Sequence, residues 1–129
     1  LHLEAWRFAY DTPMQKEAIR VCAEFLHKKG VDYRHIIVYC LIGFPGMAFE
    51  EAREKLQFLV DIGSSPYPMR FKPLDVVDRG TIPPGWEPGD MERLFGYYGV
   101  PFKWRASAWE DYRVDYKPDK VPKEQAKLF

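Results

Sequence analysis

The chain has no excess of charge, almost no cysteine and no long apolar run. Its 129 residues carry 19 basic and 19 acidic side chains, so the formal net charge is zero. A chain without net charge lacks the field that draws nucleic acid or an anionic membrane surface. No stretch approaches the roughly 20 apolar residues of a membrane-spanning helix. The opening residues do not read as a signal peptide. The two cysteines, Cys22 and Cys40, fall inside an expected helix and an expected strand. There a cysteine behaves as a small hydrophobe, so a disulfide framework is not expected and a reducing cytoplasm is. His2, His27 and His35 show no metal-ligand spacing with one another or with the cysteines. No GxGxxG or GK[ST] phosphate-binding pattern is present, nor any Ser/Cys–His–acid set.

What is present is 47 % hydrophobic residues, enough for one globular domain and hardly for two. The chain begins with Leu1 rather than Met, which suits a piece of something longer. Residues 5–10, AWRFAY, alternate in the manner of a strand, with Trp6, Phe8 and Tyr10 on one side. Thr12-Pro13-Met14-Gln15 reads as a helix start. Thr12 is a good N-cap, Pro13 suits the first helical position, and Gln15 completes a capping box. Met14, Ala18, Cys22, Phe25 and Leu26 form the expected apolar stripe, and Lys28, Lys29 and Gly30 close the helix.

Residues 36–42, IIVYCLI, have no polar alternation and predict a strand covered on both faces. A second helix is expected from about Ala48 to Ile62, with a stripe of Phe49, Ala52, Leu56 and Leu59. Glu50 and Glu51 suit its positive end and Gly63 ends it. A third strand is expected at about 68–74, with Met69 and Phe71 opposite Arg70 and Lys72. Pro68 and Pro73 limit its pairing. Residues 1–75 therefore read β-α-β-α-β, an α/β arrangement with parallel strands. Residues 76–90 read as a Pro- and Gly-rich loop and 90–98 as a short helix. From 100 onward the chain is aromatic and charged without a clear period.

In parallel α/β sheets, ligands bind outside the carboxyl ends of the strands. Asp11-Thr12, Gly43 to Gly46, and Leu74 to Thr81 fall there. Glycines just past a buried strand let a ligand approach the backbone, although a Gly-Pro-Gly loop is equally an ordinary tight connection. Arg7, Asp11, Arg70 and Lys72 are expected to share one face, where Arg70 suits a two-pronged contact with a carboxylate. The alternative places Arg70 and Lys72 on a solvated edge. Tyr39, on the buried strand, reads as core rather than catalytic, with a hydroxyl that needs a partner. Trp104, Trp109, Tyr112 and Tyr116 alternate with Lys103, Arg105, Arg113 and Lys117, as in proteins that stack single-stranded nucleic acid. Glu110, Asp111 and Asp115 cancel that charge. The tail is therefore expected to pack across the sheet's mouth or bottom, without nucleic acid as a partner.

Three segments carry a resemblance. LIGFPGMAFEEA (41–52) resembles the fifth-strand segment of radical S-adenosylmethionine enzymes, RFAYDT (7–12) their fourth strand, and FKPLDVVDRGT (71–81) their sixth strand and the loop after it. The order and spacing agree over roughly residues 4–82. The resemblance implies a parallel half of a (β/α)6 partial TIM-type barrel over 1–82. Residues 83–129 are then a loop, short helix and tail packing on it. It implies S-adenosylmethionine held over a [4Fe–4S] cluster, reductive cleavage to a 5′-deoxyadenosyl radical, and hydrogen abstraction from a substrate that nothing here names.

By that resemblance Asp11 contacts the polar part of S-adenosylmethionine. Ile42, Gly43 and Phe44 support the adenine, and Leu74 and Asp75 meet the adenine or ribose. Met47-Ala48 and Arg79 depart from the usual residues. The cluster motif CxxxCxxC is absent, and Cys22 and Cys40, 18 positions apart, cannot replace it. The chain is thus expected to be the carboxyl-terminal half of such an enzyme, inactive alone and lacking the amino-terminal half-barrel as its partner. Alone, it is expected to expose apolar surface and self-associate. The alternatives are a non-catalytic α/β binding or interaction domain, or a complete small enzyme of another kind.

Overall fold

The computed structural model describes residues 5–71 and 82–112. The expected site residues Leu74 and Asp75, together with Lys72, Pro73, the 76–81 loop, His2 and the tail from Arg113 onward, lie outside them. The described chain is a mixed α/β structure with a three-stranded parallel sheet in the order β1 (Trp6–Ala9), β2 (Ile36–Ile42) and β3 (Ser65–Arg70). Helix α1 (Lys16–Lys28) joins the first two strands and α2 (Phe49–Asp61) the second pair. Helices α3 (Asp90–Tyr98) and α4 (Pro101–Ala106) follow.

The entry to α1 forms as its sequence dictates. Pro13–Gln15 make a 3₁₀ turn that runs into the helix, and the Thr12–Gln15 capping box is present. The Gln15 side-chain oxygen accepts from the backbone N–H of Thr12 at 3.0 Å and of Asp11 at 2.7 Å. The buried face of α1 is not the expected stripe. Ile19, Ala23 and Leu26 are buried, whereas Met14, Ala18, Cys22 and Phe25 face out. The helix carries two apolar stripes about a quarter-turn apart, and only Leu26 belongs to both the expected and the observed one.

Strand β2 alternates between buried and half-buried residues. Val38, Cys40 and Ile42 join Ile19 of α1 and Ala52, Leu56 and Leu59 of α2 in one core. Ile37, Tyr39 and Leu41 point to the other face, which no helix of the described residues covers. Apolar residues on both sides mark a strand that two layers could cover, and among the described residues one helix layer covers it. Tyr39 lies on that second face, with its hydroxyl 3.4 Å from Arg7 Nη1 and its ring against Tyr67.

Strand β3 starts at Ser65, three residues before the expected start, and runs through Pro66 and Pro68. Prolines fit a strand only where the missing N–H would have pointed away from a neighbour. Phe71 donates its N–H to the Ile42 carbonyl at 2.8 Å, so by alternation the N–H groups of Tyr67 and Met69 also point to β2, while the nitrogens of Pro66 and Pro68 point to the outer edge and their rings lie buried on the helix side. The prolines thus tolerate the pairing with β2 and blunt the outer edge.

The described part of the carboxyl-terminal region packs along the helix layer beside α2 and β3. Tyr98 of α3 is fully buried and its hydroxyl lies 2.8 Å from Gln57 Oε1 on α2. Trp109 stacks on Tyr98 at 5.5 Å, with the Arg93 guanidinium 3.9 Å from its ring. Trp86 reaches the start of α2 and Trp104 meets Tyr33 at the amino end of β2. Of the expected tail, Trp109 and Tyr112 pack along the flank against Phe49 and Tyr97, while Trp104 and Arg105 sit on Tyr33 at the amino end of β2, the bottom of the sheet; its remainder lies outside the described residues. None of the described helices is long and apolar enough to cross a membrane.

Candidate functional site at the carboxyl ends of the strands

The segment GFPG leaves β2 through two left-handed glycines. Gly46 has φ +89° and follows Pro45, while the N–H of Met47 donates to the Phe44 carbonyl at 3.0 Å. This is the pattern of a type II turn, with proline in the second position and glycine in the third. A second Pro-Gly turn, with Trp86 N–H on the Pro83 carbonyl at 3.0 Å, sits against the first. The Trp86 indole N–H donates to the Met47 carbonyl at 2.8 Å and ties the two together. Gly43, with φ +87°, is crowded: a Cβ there would stand 2.9 Å from Met91 Cε and 3.5 Å from Pro83 Cγ. Its close approach is to the chain itself.

Asp11, just past β1, and Phe44, just past β2, line one cavity of about 270 Å³. Tyr10, Phe44, Met47 and Phe58 give it an apolar floor. Asp11, Glu51 and Glu54 stand exposed at its rim, with Lys16 and the half-buried Lys55. The Lys55 ammonium lies 5.0 Å from the Tyr10 ring centre and 5.8 Å from that of Phe44. The Lys16 ammonium lies 4.8 Å from the Phe58 ring. Beneath the floor, burial pushes the Cys40 thiol up to about 11; Lys55 pulls it down and Asp11 raises it. Burial likewise raises the Tyr10 phenol, with Cys40 adding to the effect.

Of the residues the sequence singled out, Asp11 and Phe44 meet in this cavity, while Gly43 packs toward Met91 and Pro83 and does not line it. Ile42 lies fully buried in the core and its carbonyl is taken by Phe71 N–H. Arg70 is in register with Ile42, which puts it on the helix side, whereas Arg7 is in register with Ile37 on the open face. The expectation that Arg7 and Arg70 share a face is corrected: an odd number of register steps separates them. Arg70 lines a separate shallow cleft with Pro83, Trp86 and Glu92. Sequence reasoning missed Lys16, Lys55 and Phe58. The signal for two of them was the spacing Glu51, Lys55, Phe58, which puts these residues on one side of α2 toward the strand ends.

The resemblance implies a [4Fe–4S] cluster. Among the described residues no three His, Cys, Asp or Glu side chains gather as a metal site. Cys22 faces out from α1 and Cys40 is buried below the cavity. This chain's cysteines therefore do not fit a [4Fe–4S] cluster. The cavity does fit part of S-adenosylmethionine: Asp11 offers a carboxylate to a cationic group and Phe44 an apolar surface. No family model, curated protein or solved structure matches the chain.

Proposed function

We propose that this chain supplies part of the S-adenosylmethionine-binding wall of a radical S-adenosylmethionine iron–sulfur enzyme, as half of a (β/α)6 partial barrel. The observation that carries the reading is the position of Asp11 and Phe44 just past the carboxyl ends of two adjacent parallel strands, where the cavity they share opens between α1 and α2 on the helix side. Two further features support it. Among the described residues helices lie on one face of the sheet, as in a barrel wall, and the prolines of β3 suit a terminal strand. When bound, S-adenosylmethionine would supply a radical precursor cleaved reductively by a cluster whose ligands this chain lacks. Asp11 would hold its cationic part and Phe44 its apolar part, and the Trp86–Met47 bond would keep the loop in place.

The test is anaerobic. The longest reading frame containing this chain is reconstituted with iron and sulfide, reduced with S-adenosylmethionine, and assayed for 5′-deoxyadenosine by mass spectrometry. The expected result is product from the parent and at least tenfold less from Asp11→Ala and Phe44→Ala. A substitution at Gly43 is no test, because φ +87° strains any residue that carries a Cβ.

A second reading is favoured by the backbone of Gly43 and Gly46, whose positive φ angles belong to tight turns. Gly43 and the Pro-Gly turns are accounted for by packing alone, which suits a non-catalytic α/β binding domain. An absent cluster and no product would select it.

A further inference from the structure

The lysines of the cavity are its least explained feature. Lys55 is half-buried over Tyr10 and Phe44, and Lys16 lies across from it over Phe58. No carboxylate of the described residues is within ion-pair distance of either ammonium, although Asp11, Glu51 and Glu54 line the same cavity. The ion pairs that do form lie elsewhere, as in Arg20 with Glu17 and Glu24, and Arg53 with Glu50 and Glu110. The carboxylates thus stand at the solvated rim, and the two cations lie over the apolar floor.

We infer that this cavity binds a small anion with a flat apolar body, its carboxylate or phosphate held between Lys55 and Lys16 and its body lying on Tyr10, Phe44 and Phe58. Three arguments carry this. An ammonium over a ring face is partly desolvated and keeps donors free for an anion. The cavity, about 270 Å³, is near the lower end of small-molecule sites and has the usual make-up of an apolar lining with a few polar groups. The rim of Asp11, Glu51 and Glu54 repels polyanions, which excludes nucleic acid and selects a ligand of low charge. The inference concerns the lysine wall and holds whether or not the cavity also takes S-adenosylmethionine.

The test is a side-chain NMR titration of the 129-residue chain at pH 7 and low salt. The probes are benzoate, phenyl phosphate, inorganic phosphate and benzyl alcohol. Benzoate or phenyl phosphate is expected to shift the Lys55 ε-methylene and Tyr10 ring signals saturably, with Kd of about 1 mM. The tighter of the two identifies the anionic group. Lys55→Gln is expected to weaken binding about tenfold and Lys16→Gln about threefold, with Lys55→Arg restoring most of it. Both variants change exposed or half-buried ends of long side chains, and unchanged spectra away from the cavity verify the fold. Inorganic phosphate binding as tightly as phenyl phosphate would overturn the apolar half of the inference. Benzyl alcohol binding as tightly as benzoate would overturn the ionic half. No saturable shift, or an unchanged Kd in Lys55→Gln, would overturn the whole. S-adenosylmethionine is absent throughout, so failure here and failure of the proposed function are separate results.

Discussion

The two flanks of the sheet are built in opposite ways. On the β3 side, prolines blunt the strand's outer edge and an aromatic cluster of Tyr97, Tyr98 and Trp109 covers the helix layer. On the β1 side, the outward N–H groups belong to Arg7 and Ala9, because Tyr10 turns its own N–H to Tyr39. Trp6, Phe8, Val21, Phe25 and Val31 there line an open groove of about 520 Å³. Trp6 is 53 % exposed and Phe25 57 %, whereas Tyr98 and Leu94 are fully buried. One flank is finished and holds the fold together, while the other is an edge that a further strand and helix could extend. A partial barrel that ends at β3 and continues beyond β1 would have this asymmetry.

The largest expected difference between the flanks is in stability. Tyr98→Ala should cost about 3–5 kcal/mol, as large-to-small changes in packed cores do, and Phe25→Ala less than about 1 kcal/mol. Urea unfolding of both variants checks this; equal losses would mean that α1 is packed as tightly as α3.

Alkaline pH should act next, and again through the closed core. The Cys40 thiol is raised from 9.0 to about 11 by burial, so the unfolded chain loses this proton first. Stability from this group is complete below pH 9 and falls by about 2–3 kcal/mol as pH rises to 11. Tyr98, raised by burial to about 12, adds a later loss above pH 10. Cys40→Ala should remove the first limb and leave the second. Exposed Cys22 should react with a thiol reagent in the native state, and Cys40 only on unfolding.

Association should be confined to the open flank. The chain is expected to self-associate at tens of micromolar, and Phe25→Asp with Trp6→Lys should weaken this at least tenfold, or about 1.4 kcal/mol. Sedimentation velocity measures it. Substitutions on the β3 edge should have little effect while Pro66 and Pro68 remain. The smallest effect is expected at the helix start, where Thr12→Ala should lower the melting free energy by about 1 kcal/mol without changing association.

Much of this was legible in the sequence. The capping box fixed the start of α1 because local geometry alone decides it. The stripe of α2 was read correctly at Ala52, Leu56 and Leu59, since that helix has one apolar side. The α1 stripe was misread because Met14, Val21 and Phe25 are as apolar as Ile19 and Ala23, and only tertiary packing chooses between them. The start of β3 was missed because two prolines count against a strand, and whether they face a neighbour is a matter of register. At the candidate site, Asp11 and Phe44 were legible as residues ending strands. Lys16 and Lys55 were not, since a lysine on a helix surface reads as solvated until the neighbouring strand end places an aromatic ring beneath it.

The central claim is that the carboxyl ends of β1 and β2 bind ligand. It is tested by titrating the isotopically labelled chain with S-adenosylmethionine and following the backbone amides. Saturable shifts confined to Tyr10–Thr12 and Gly43–Met47, reduced in Asp11→Ala, are the predicted result. No shifts, or shifts only in the groove of Trp6, Val21 and Phe25, would contradict it.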